Sequence, residues 1–170
     1  MRPYIESYIT VSPRIESGTR KNCEERGGVD GMDNIQKLTY NHNKSATKKK
    51  TMMICEDEPD IRLLFGLVFG SKYDIILVDS GEDCTERFIE EKNRENKIHL
   101  ILLDYKLGGM LGDSVARKIK EYSGTKIILN SAYNIADVPV KELENGNYIS
   151  KYLQKPFEIN RLTDLVGEIV

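Results

Sequence analysis

The chain has 170 residues with nearly balanced charge, 25 basic against 27 acidic, so it lacks the strong positive field typical of nucleic-acid-binding proteins. Its three cysteines, Cys23, Cys55 and Cys84, are widely spaced, which excludes a CxxC zinc pattern and disfavours a disulfide framework. No apolar run approaches the roughly 20 residues that span a bilayer, and no apolar signal core opens the chain. We therefore expect a cytoplasmic protein with no membrane insertion and no direct contact with nucleic acid.

Residues 1–50 differ in composition from the rest. They contain ten basic and six acidic residues, whereas residues 51–170 contain fifteen and twenty-one. Apolar side chains are sparse before residue 51, which predicts a disordered N-terminal extension followed by one folded domain at 51–170. Within the extension, YIESYITV (4–11) alternates weakly and would form a strand only against a partner. NHNKSATKKK (41–50) is typical of a solvated linker.

The predicted elements begin with TMMICED, a short apolar run ending in acids that indicates a buried strand. DEPDIRLLFGLVFG predicts a helix, because Pro59 suits a first helical position and apolar residues then recur at three and four positions. YDIILVDSG predicts a second strand, and GEDCTERFIEEKNREN a charged helix with Cys84 and Phe88 inward. KIHLILLD predicts a third strand, apolar throughout as a strand covered on both faces should be.

The remaining segments continue this alternation. GDSVARKIKEY predicts a helix, TKIILNSA a strand, VPVKELENG a short helix, YLQKP a strand and FEINRLTDLVGEIV a closing helix. Five strands alternating with five helices predict an α/β fold with a five-stranded parallel sheet covered on both faces. The flavodoxin-like, doubly wound strand order 2-1-3-4-5 is the natural one for five such units.

Carboxylates follow two of the predicted strands. Glu56, Asp57 and Glu58 come directly after the first strand, and Asp104 ends the third. In the predicted order these two strand ends adjoin at the switch point, where ligands bind in such sheets. Crowded carboxylates raise one another's pKa values, and a hard cation such as Mg²⁺ relieves that cost. The sequence therefore predicts a Mg²⁺ site at this edge.

Two other strand ends supply complementary groups, the Ser131 hydroxyl and the Lys155 ammonium. This combination indicates phosphoryl chemistry, with Asp104 as a nucleophile that forms an acyl phosphate. Lys155 and Mg²⁺ would neutralise charge on the transferring oxygens, and Ser131 would donate a hydrogen bond to the attached group.

The sequence resembles the receiver domain of two-component response regulators over roughly 50–170. Four segments carry the resemblance, in this order: MICEDEPDIR, LILLDYKLGG, IILNSAY and YLQKPF. Their separations agree with the family too. Asp57 and Asp104 are 47 residues apart, Ser131 follows after 27 more, and Lys155 after another 24.

The resemblance implies a role for each acidic residue. Asp104 is the phosphoacceptor, and Glu56 and Asp57 form the acidic pair. Asp57 and Asp104 are direct Mg²⁺ ligands together with the backbone carbonyl of Lys106, whereas Glu56 acts through water.

The resemblance also assigns the groups that respond to phosphorylation. Ser131 takes the switch hydroxyl position, and Tyr152 takes the switch aromatic position. Lys155 binds the phosphoryl group, and Pro156 follows it in what is usually a cis peptide bond. The expected signalling surface combines the fourth helix, the fifth strand and the fifth helix.

Three features depart from the usual family pattern. Glu56 stands where Asp is commoner, and Gly108 stands where Pro is usual, which predicts a more mobile loop. The stretch 146–152 is about two residues longer than is typical of the family, which affects the end of the fourth helix. None of these changes removes a chemical group that the site needs.

The resemblance implies a sensor histidine kinase as the phosphoryl donor and a downstream protein target that the sequence does not identify. A receiver assists its own phosphorylation and dephosphorylation, so we do not expect an enzyme. No effector domain follows the last predicted helix, which predicts a stand-alone receiver. Its expected state is a monomer or a phosphorylation-dependent dimer.

Two other functions fit parts of the pattern. A Mg²⁺-dependent phosphatase with an aspartyl intermediate needs a second Asp two residues after the nucleophile, where this chain has Lys106. A pseudo-receiver that binds partners without phosphorylation is disfavoured by the intact site residues. Taken singly, these residues also have ordinary structural interpretations: Asp104 as a strand-end cap, Glu58 as a solvated helix cap and Tyr152 as edge packing.

Overall fold

A computed structural model of the chain describes residues 9–10, 48–133 and 138–170. Most of the predicted disordered extension, 1–50, lies outside the described residues, so its disorder stays a prediction. Within the extension, Ile9–Thr10 form a two-residue strand that pairs in parallel with Phe157–Glu158. No helix in the described ranges is long and apolar enough to cross a membrane.

Five parallel strands form the central sheet. They are β1 (Lys50–Cys55), β2 (Tyr73–Val78), β3 (Ile98–Asp104), β4 (Lys126–Ser131) and β5 (Lys151–Gln154). The helices are α1 (Pro59–Phe69), α2 (Gly81–Asn93), α3 (Gly112–Tyr122), α4 (Val140–Asn145) and α5 (Ile159–Ile169). The strands lie in the order β2-β1-β3-β4-β5. This order confirms the predicted 2-1-3-4-5 arrangement and its flavodoxin-like fold.

The sheet is covered on both faces, as predicted from its apolar strands. Phe65 of α1 and Leu162 of α5 pack into the core on one face. Phe88 of α2, Ile119 of α3 and Leu143 of α4 pack into the core on the other. Each fully buried side chain of this size contributes about 1.5–3 kcal/mol through the hydrophobic effect. The central strand β3 is buried at every position except His99, which agrees with the apolar run Leu100–Leu103 that leads into Asp104.

The first two helices begin where local sequence signals place them. Pro59 is the first residue of α1, and the exposed Glu58 occupies the N-cap position without a side-chain cap hydrogen bond. In α2 the Ser80 hydroxyl accepts a hydrogen bond of 3.1 Å from the backbone N–H of Asp83. Because the first N–H groups of a helix have no partner inside it, such a cap stabilises the helix.

Three lysines close helix ends at the amino edge of the sheet. Lys49 donates to the carbonyl of Gly70, just after α1, at 3.2 Å. Lys50 donates to the carbonyl that follows α5, and Lys92 to the last carbonyl of α3. Lys50 also begins β1, so the linker predicted for 41–50 is wrong at its end. The physical reason is that the backbone of Lys50 pairs in register with Tyr73 of β2. The three lysine side chains reach the helix ends because carbonyls there lack intrahelical partners and attract cations.

Candidate functional site

Four strand ends bring the predicted residues to one edge of the sheet. Asp104 is the last residue of β3 and Ser131 the last residue of β4. Glu56 directly follows β1, and Lys155 directly follows β5. Asp104 lies between Glu56 and Ser131, because β1 and β4 flank β3.

Lys155 connects the two sides of this edge. Its ammonium lies 2.8 Å from Asp104 Oδ1 and 3.0 Å from Glu56 Oε2. The backbone N–H of Lys155 donates to the carbonyl of Ser131 at 2.7 Å, and the Lys155–Pro156 peptide bond is cis. The side chain thus reaches from β5 across β4 and β3 to the residue that follows β1.

Both carboxylate oxygens of Asp104 have a bonding partner. Oδ1 faces Lys155, and Oδ2 accepts a hydrogen bond of 2.9 Å from the backbone N–H of Lys106. The residue is only 6 % exposed. Asp104 therefore caps the turn after β3 through Lys106 and also faces Lys155, so its orientation is fixed.

Burial shifts the pKa values of the ionisable groups at this edge. It raises the pKa of Glu56 to about 7, and the charge of Asp104 adds to the rise. Burial also raises the pKa of Asp104, although the Lys155 ammonium opposes that shift. For Lys155 itself, burial would lower the pKa, but Asp104 and Glu56 outweigh it and the pKa is raised. One ammonium therefore does not compensate the carboxylates fully.

The acidic residues fit a divalent cation. One oxygen from each of Glu56, Asp57 and Asp104 lies within 4.8 Å of the other two. Glu56 Oε1 is buried and has no hydrogen-bond partner in the part of the chain that the structure describes. Hard carboxylate oxygens are the donors that Mg²⁺ prefers. Because Glu56 already binds Lys155, direct coordination is better suited to Asp57, which is exposed, and to Asp104, which lines the cavity.

A cavity of about 330 Å³ gives access to this edge. Its lining combines carboxylates, an ammonium and a hydroxyl, from the residues Asp57, Glu58, Asp104, Lys106, Ser131, Ala132, Tyr133 and Lys155. An anionic group entering it would meet the Asp104 carboxylate next to two groups that stabilise negative charge. The arrangement is therefore suited to nucleophilic attack by Asp104 on an electrophilic anion such as a phosphoryl group.

Of the two predicted switch residues, Ser131 lines the cavity, and both contact the loop that follows β4. The Ser131 hydroxyl accepts a hydrogen bond of 3.0 Å from the backbone N–H of Tyr133. The Tyr152 hydroxyl, on β5, donates to the carbonyl of Tyr133 at 3.0 Å. Both residues therefore contact the same loop residue, which places them where a change at Ser131 can reach Tyr152.

The departures from the family pattern have local structural consequences. Gly108, with φ of +29°, forms the turn between Lys106–Leu107 and Met110–Leu111, which pair as a short antiparallel hairpin. After α4, the backbone N–H groups of Tyr148 and Ile149 both donate to the carbonyl of Leu143, at 2.8 and 3.3 Å. The longer stretch thus folds back on the helix end.

The structure adds two residues that the sequence did not single out. Arg62 of α1 donates to the carbonyls of Glu56 and Asp57, at 2.6 and 3.3 Å, and so holds the acidic turn. Asn130 of β4 pairs in register with Asp104 and is completely buried. In the sequence, Asn130 is a polar residue directly after the aliphatic run IIL. Only its complete burial in the structure shows that this polar residue is unusual.

A larger cavity, of about 850 Å³, lies at the amino edge of the sheet. Lys50 and Lys92 are among its lining residues, and both bond to backbone carbonyls at helix ends. These two lysines are thus engaged by the fold itself. The smaller cavity next to Asp104 is the better candidate site.

Known proteins resemble this chain in sequence and in fold. Residues 52–167 match the family described as the response regulator receiver domain. The DNA-binding response regulator MtrA of Mycolicibacterium smegmatis is 27% identical over 68% of this chain and 48% of its own length. Two-component response regulator ORR7 of Oryza sativa subsp. japonica is 29% identical over 66% of this chain and 53% of its own. The chain thus spans about half the length of these two relatives.

A solved structure extends the comparison to the fold. The response regulator protein TrrA of Thermotoga maritima, in complex with Mg²⁺ and BeF, is 26% identical to this chain and superimposes with a TM-score of 0.59. The match covers 71% of this chain and 99% of that protein.

Proposed function

Because this chain belongs to the response regulator receiver domain family, we propose that it accepts a phosphoryl group on Asp104 and signals through a change around Ser131 and Tyr152. The observation that carries the proposal is the buried contact of Lys155 with Asp104, at 2.8 Å, beside an open cavity. An ammonium so placed stabilises negative charge on a group transferred to Asp104.

The proposed donor is a phosphohistidine of a sensor histidine kinase, since receivers of this family interact with such kinases. In the transfer, an Asp104 oxygen forms the new bond to phosphorus while the bond from phosphorus to the imidazole nitrogen breaks. The leaving imidazole keeps the electron pair, and Lys155 remains next to the phosphoryl oxygens. The chain assists this step and the later hydrolysis, and we do not propose an enzyme that acts on other substrates.

Mg²⁺ is the proposed cofactor. Asp57, Asp104 and the backbone carbonyl of Lys106 would hold it directly, and Glu56 would act through water. When bound, Mg²⁺ supplies positive charge that neutralises carboxylate and phosphoryl oxygens.

The proposed signal begins at Ser131. Its hydroxyl now accepts a hydrogen bond from Tyr133, and it would turn to donate to the phosphoryl group. Tyr152, which bonds to the carbonyl of the same Tyr133, would then lose part of its support and move inward. The surface formed by α4, β5 and α5 would change as a population shift between two arrangements.

Several finer properties stay predictions. They include the downstream protein target, the stand-alone character, the cytoplasmic location and the choice between a monomer and a phosphorylation-dependent dimer. The printed description of MtrA as DNA-binding concerns that protein, and for this chain we retain the prediction of no direct contact with nucleic acid.

A small-molecule phosphodonor tests the proposal. With phosphoramidate and Mg²⁺, intact-mass spectrometry should show one added phosphoryl group on the wild-type chain. Asp104→Asn should show none, whereas the matched variant Asp74→Asn, changed at an exposed position on β2, should behave as the wild type. Modification of Asp104→Asn to the wild-type extent would refute Asp104 as the acceptor.

A further inference from the structure

Asn130 has a buried side chain with unsatisfied polar atoms. The residue is 0 % exposed, and neither its Oδ1 nor its Nδ2 has a hydrogen-bond partner among the described residues. The three residues before it on β4 are aliphatic and also buried. A buried carboxamide without partners destabilises a protein relative to an aliphatic side chain in the same place. Such groups in native structures call for an explanation, often a water or a ligand.

The register of the sheet places Asn130 beneath Lys155. Asn130 pairs with Asp104 on one side and with Leu153 on the other. Residues in register point to the same face of a parallel sheet, and so do residues two positions apart on one strand. Asn130, Asp104 and Lys155 therefore share a face. Since Lys155 reaches across β4 to contact Asp104, its side chain crosses the sheet on the face on which Asn130 lies.

The Lys155 ammonium has one donor left for such a partner. It carries three N–H groups, of which two are directed to Glu56 Oε2 and Asp104 Oδ1. Within the described ranges no acceptor is assigned to the third. The Asn130 carboxamide oxygen is an acceptor in the same buried layer, and a polar pair of this kind is the usual setting of an internal water.

We propose that Asn130 is a positioning residue for Lys155: its carboxamide receives the third N–H of the ammonium through one buried water and keeps Nζ over Asp104. This inference rests on the proposed function of Asp104. When Asp104 carries a phosphoryl group, the oxygen that Lys155 contacts changes its charge and position. An additional anchor then limits the displacement of Nζ, and small displacements of such groups change rates strongly.

An isosteric pair of variants tests the anchor. Asn130→Val and Asn130→Thr have the same shape, but only Thr keeps a hydroxyl that can bind the water. We expect phosphorylation by phosphoramidate to slow by roughly tenfold in Asn130→Val and by clearly less in Asn130→Thr. We also expect the ¹⁵N–¹H signal of the Lys155 ammonium to exchange faster with solvent in Asn130→Val than in Asn130→Thr.

The control is Ile128→Val, which removes one methyl group on the same face of β4, below Asn130. It should lower stability slightly and leave both readouts unchanged. Equal rates and equal ammonium exchange in Asn130→Val and Asn130→Thr would overturn the anchor. The ammonium signal is measured in the unphosphorylated chain, so it still decides the role of Asn130 if the wild type fails to accept a phosphoryl group and the proposed function is wrong.

Discussion

At the amino edge of the sheet, Lys49, Lys50 and Lys92 are exposed, and each donates to a backbone carbonyl at a helix end. At the carboxyl edge, Lys155 is buried between two carboxylates whose pKa values burial raises. Charge at the first edge completes hydrogen bonding that the fold requires. The buried carboxylate charge at the second edge opposes folding and is only partly offset by Lys155, and perturbed groups in a cleft are typical of functional sites. The comparison separates lysines that complete hydrogen bonding in the fold from the lysine for which we propose a role in phosphoryl transfer.

The largest effect should come from removing the cation at the carboxyl edge. Lys155→Met leaves Glu56 and Asp104 buried without a counter-charge, so we expect the free energy of unfolding near neutral pH to fall by about 3–5 kcal/mol. The loss should shrink at about pH 5, because carboxyls with raised pKa values then bind protons. Urea unfolding at the two pH values measures both quantities. An equal loss at both would show that the carboxylates are not the cause.

The pH dependence of the wild type should give the next largest effect. Glu56 has an ordinary pKa of 4.5 and a pKa of about 7 in the folded chain, so the folded state binds more protons between these values. Stability should therefore fall as pH rises from about 4.5 to about 7, by up to roughly 3 kcal/mol. Asp104 contributes in the same direction, whereas Lys155 stays protonated in both states.

Glu56→Gln is the control for that pH dependence. It removes the titrating group but keeps the side-chain shape, so its unfolding free energy should change much less over the same pH range. Urea titrations without divalent cations measure the difference. A wild-type slope of the opposite sign would contradict the raised pKa of Glu56.

Addition of Mg²⁺ should give a smaller gain in stability. A ligand that binds only the folded state at about ten to thirty times its Kd stabilises it by about 1.5–2 kcal/mol. Asp57→Asn should lose most of this gain, because Asp57 is the exposed carboxylate of the cluster. Thermal unfolding with and without Mg²⁺ checks the difference, and an undiminished gain in the variant would place the ion elsewhere.

The smallest effect should come from the amino edge. Lys92 lies on α2 and donates to the last carbonyl of α3. Lys92→Met removes this exposed cation, which should lower the free energy of unfolding by at most about 1 kcal/mol. Phosphorylation by phosphoramidate should stay at the wild-type rate. A phosphorylation defect in this variant would show that the two edges are not separate in function.

The fold could be predicted from the sequence because its signals are local. The largely apolar sequence of β3 indicated a strand covered on both faces, and Pro59 marked the start of α1. The strand ends then placed Glu56, Asp104 and Lys155 at a common edge. Any fold with this strand order brings the residues at these strand ends to the same edge of the sheet. Predicting that they meet therefore required no knowledge of side-chain geometry.

Other features depend on packing and could not be predicted. Lys49 and Lys50 looked like part of a solvated linker, because their carbonyl partners lie at distant helix ends. The unsatisfied carboxamide of Asn130 depends on complete burial, which a single Asn in an aliphatic run does not establish. The hold of Arg62 on the acidic turn depends on the position of α1 over β1.

Beryllofluoride, which takes the place of a phosphoryl group on an aspartate, gives the most direct test of Asp104 as the trigger of a switch. Amide NMR spectra with Mg²⁺, recorded before and after its addition, should show large shifts at Ser131 and Tyr152 in the wild type. Asp104→Asn should show none of them. Wild-type spectra that do not change, or equal shifts in Asp104→Asn, would contradict the switch and favour a domain that binds its partners without phosphorylation.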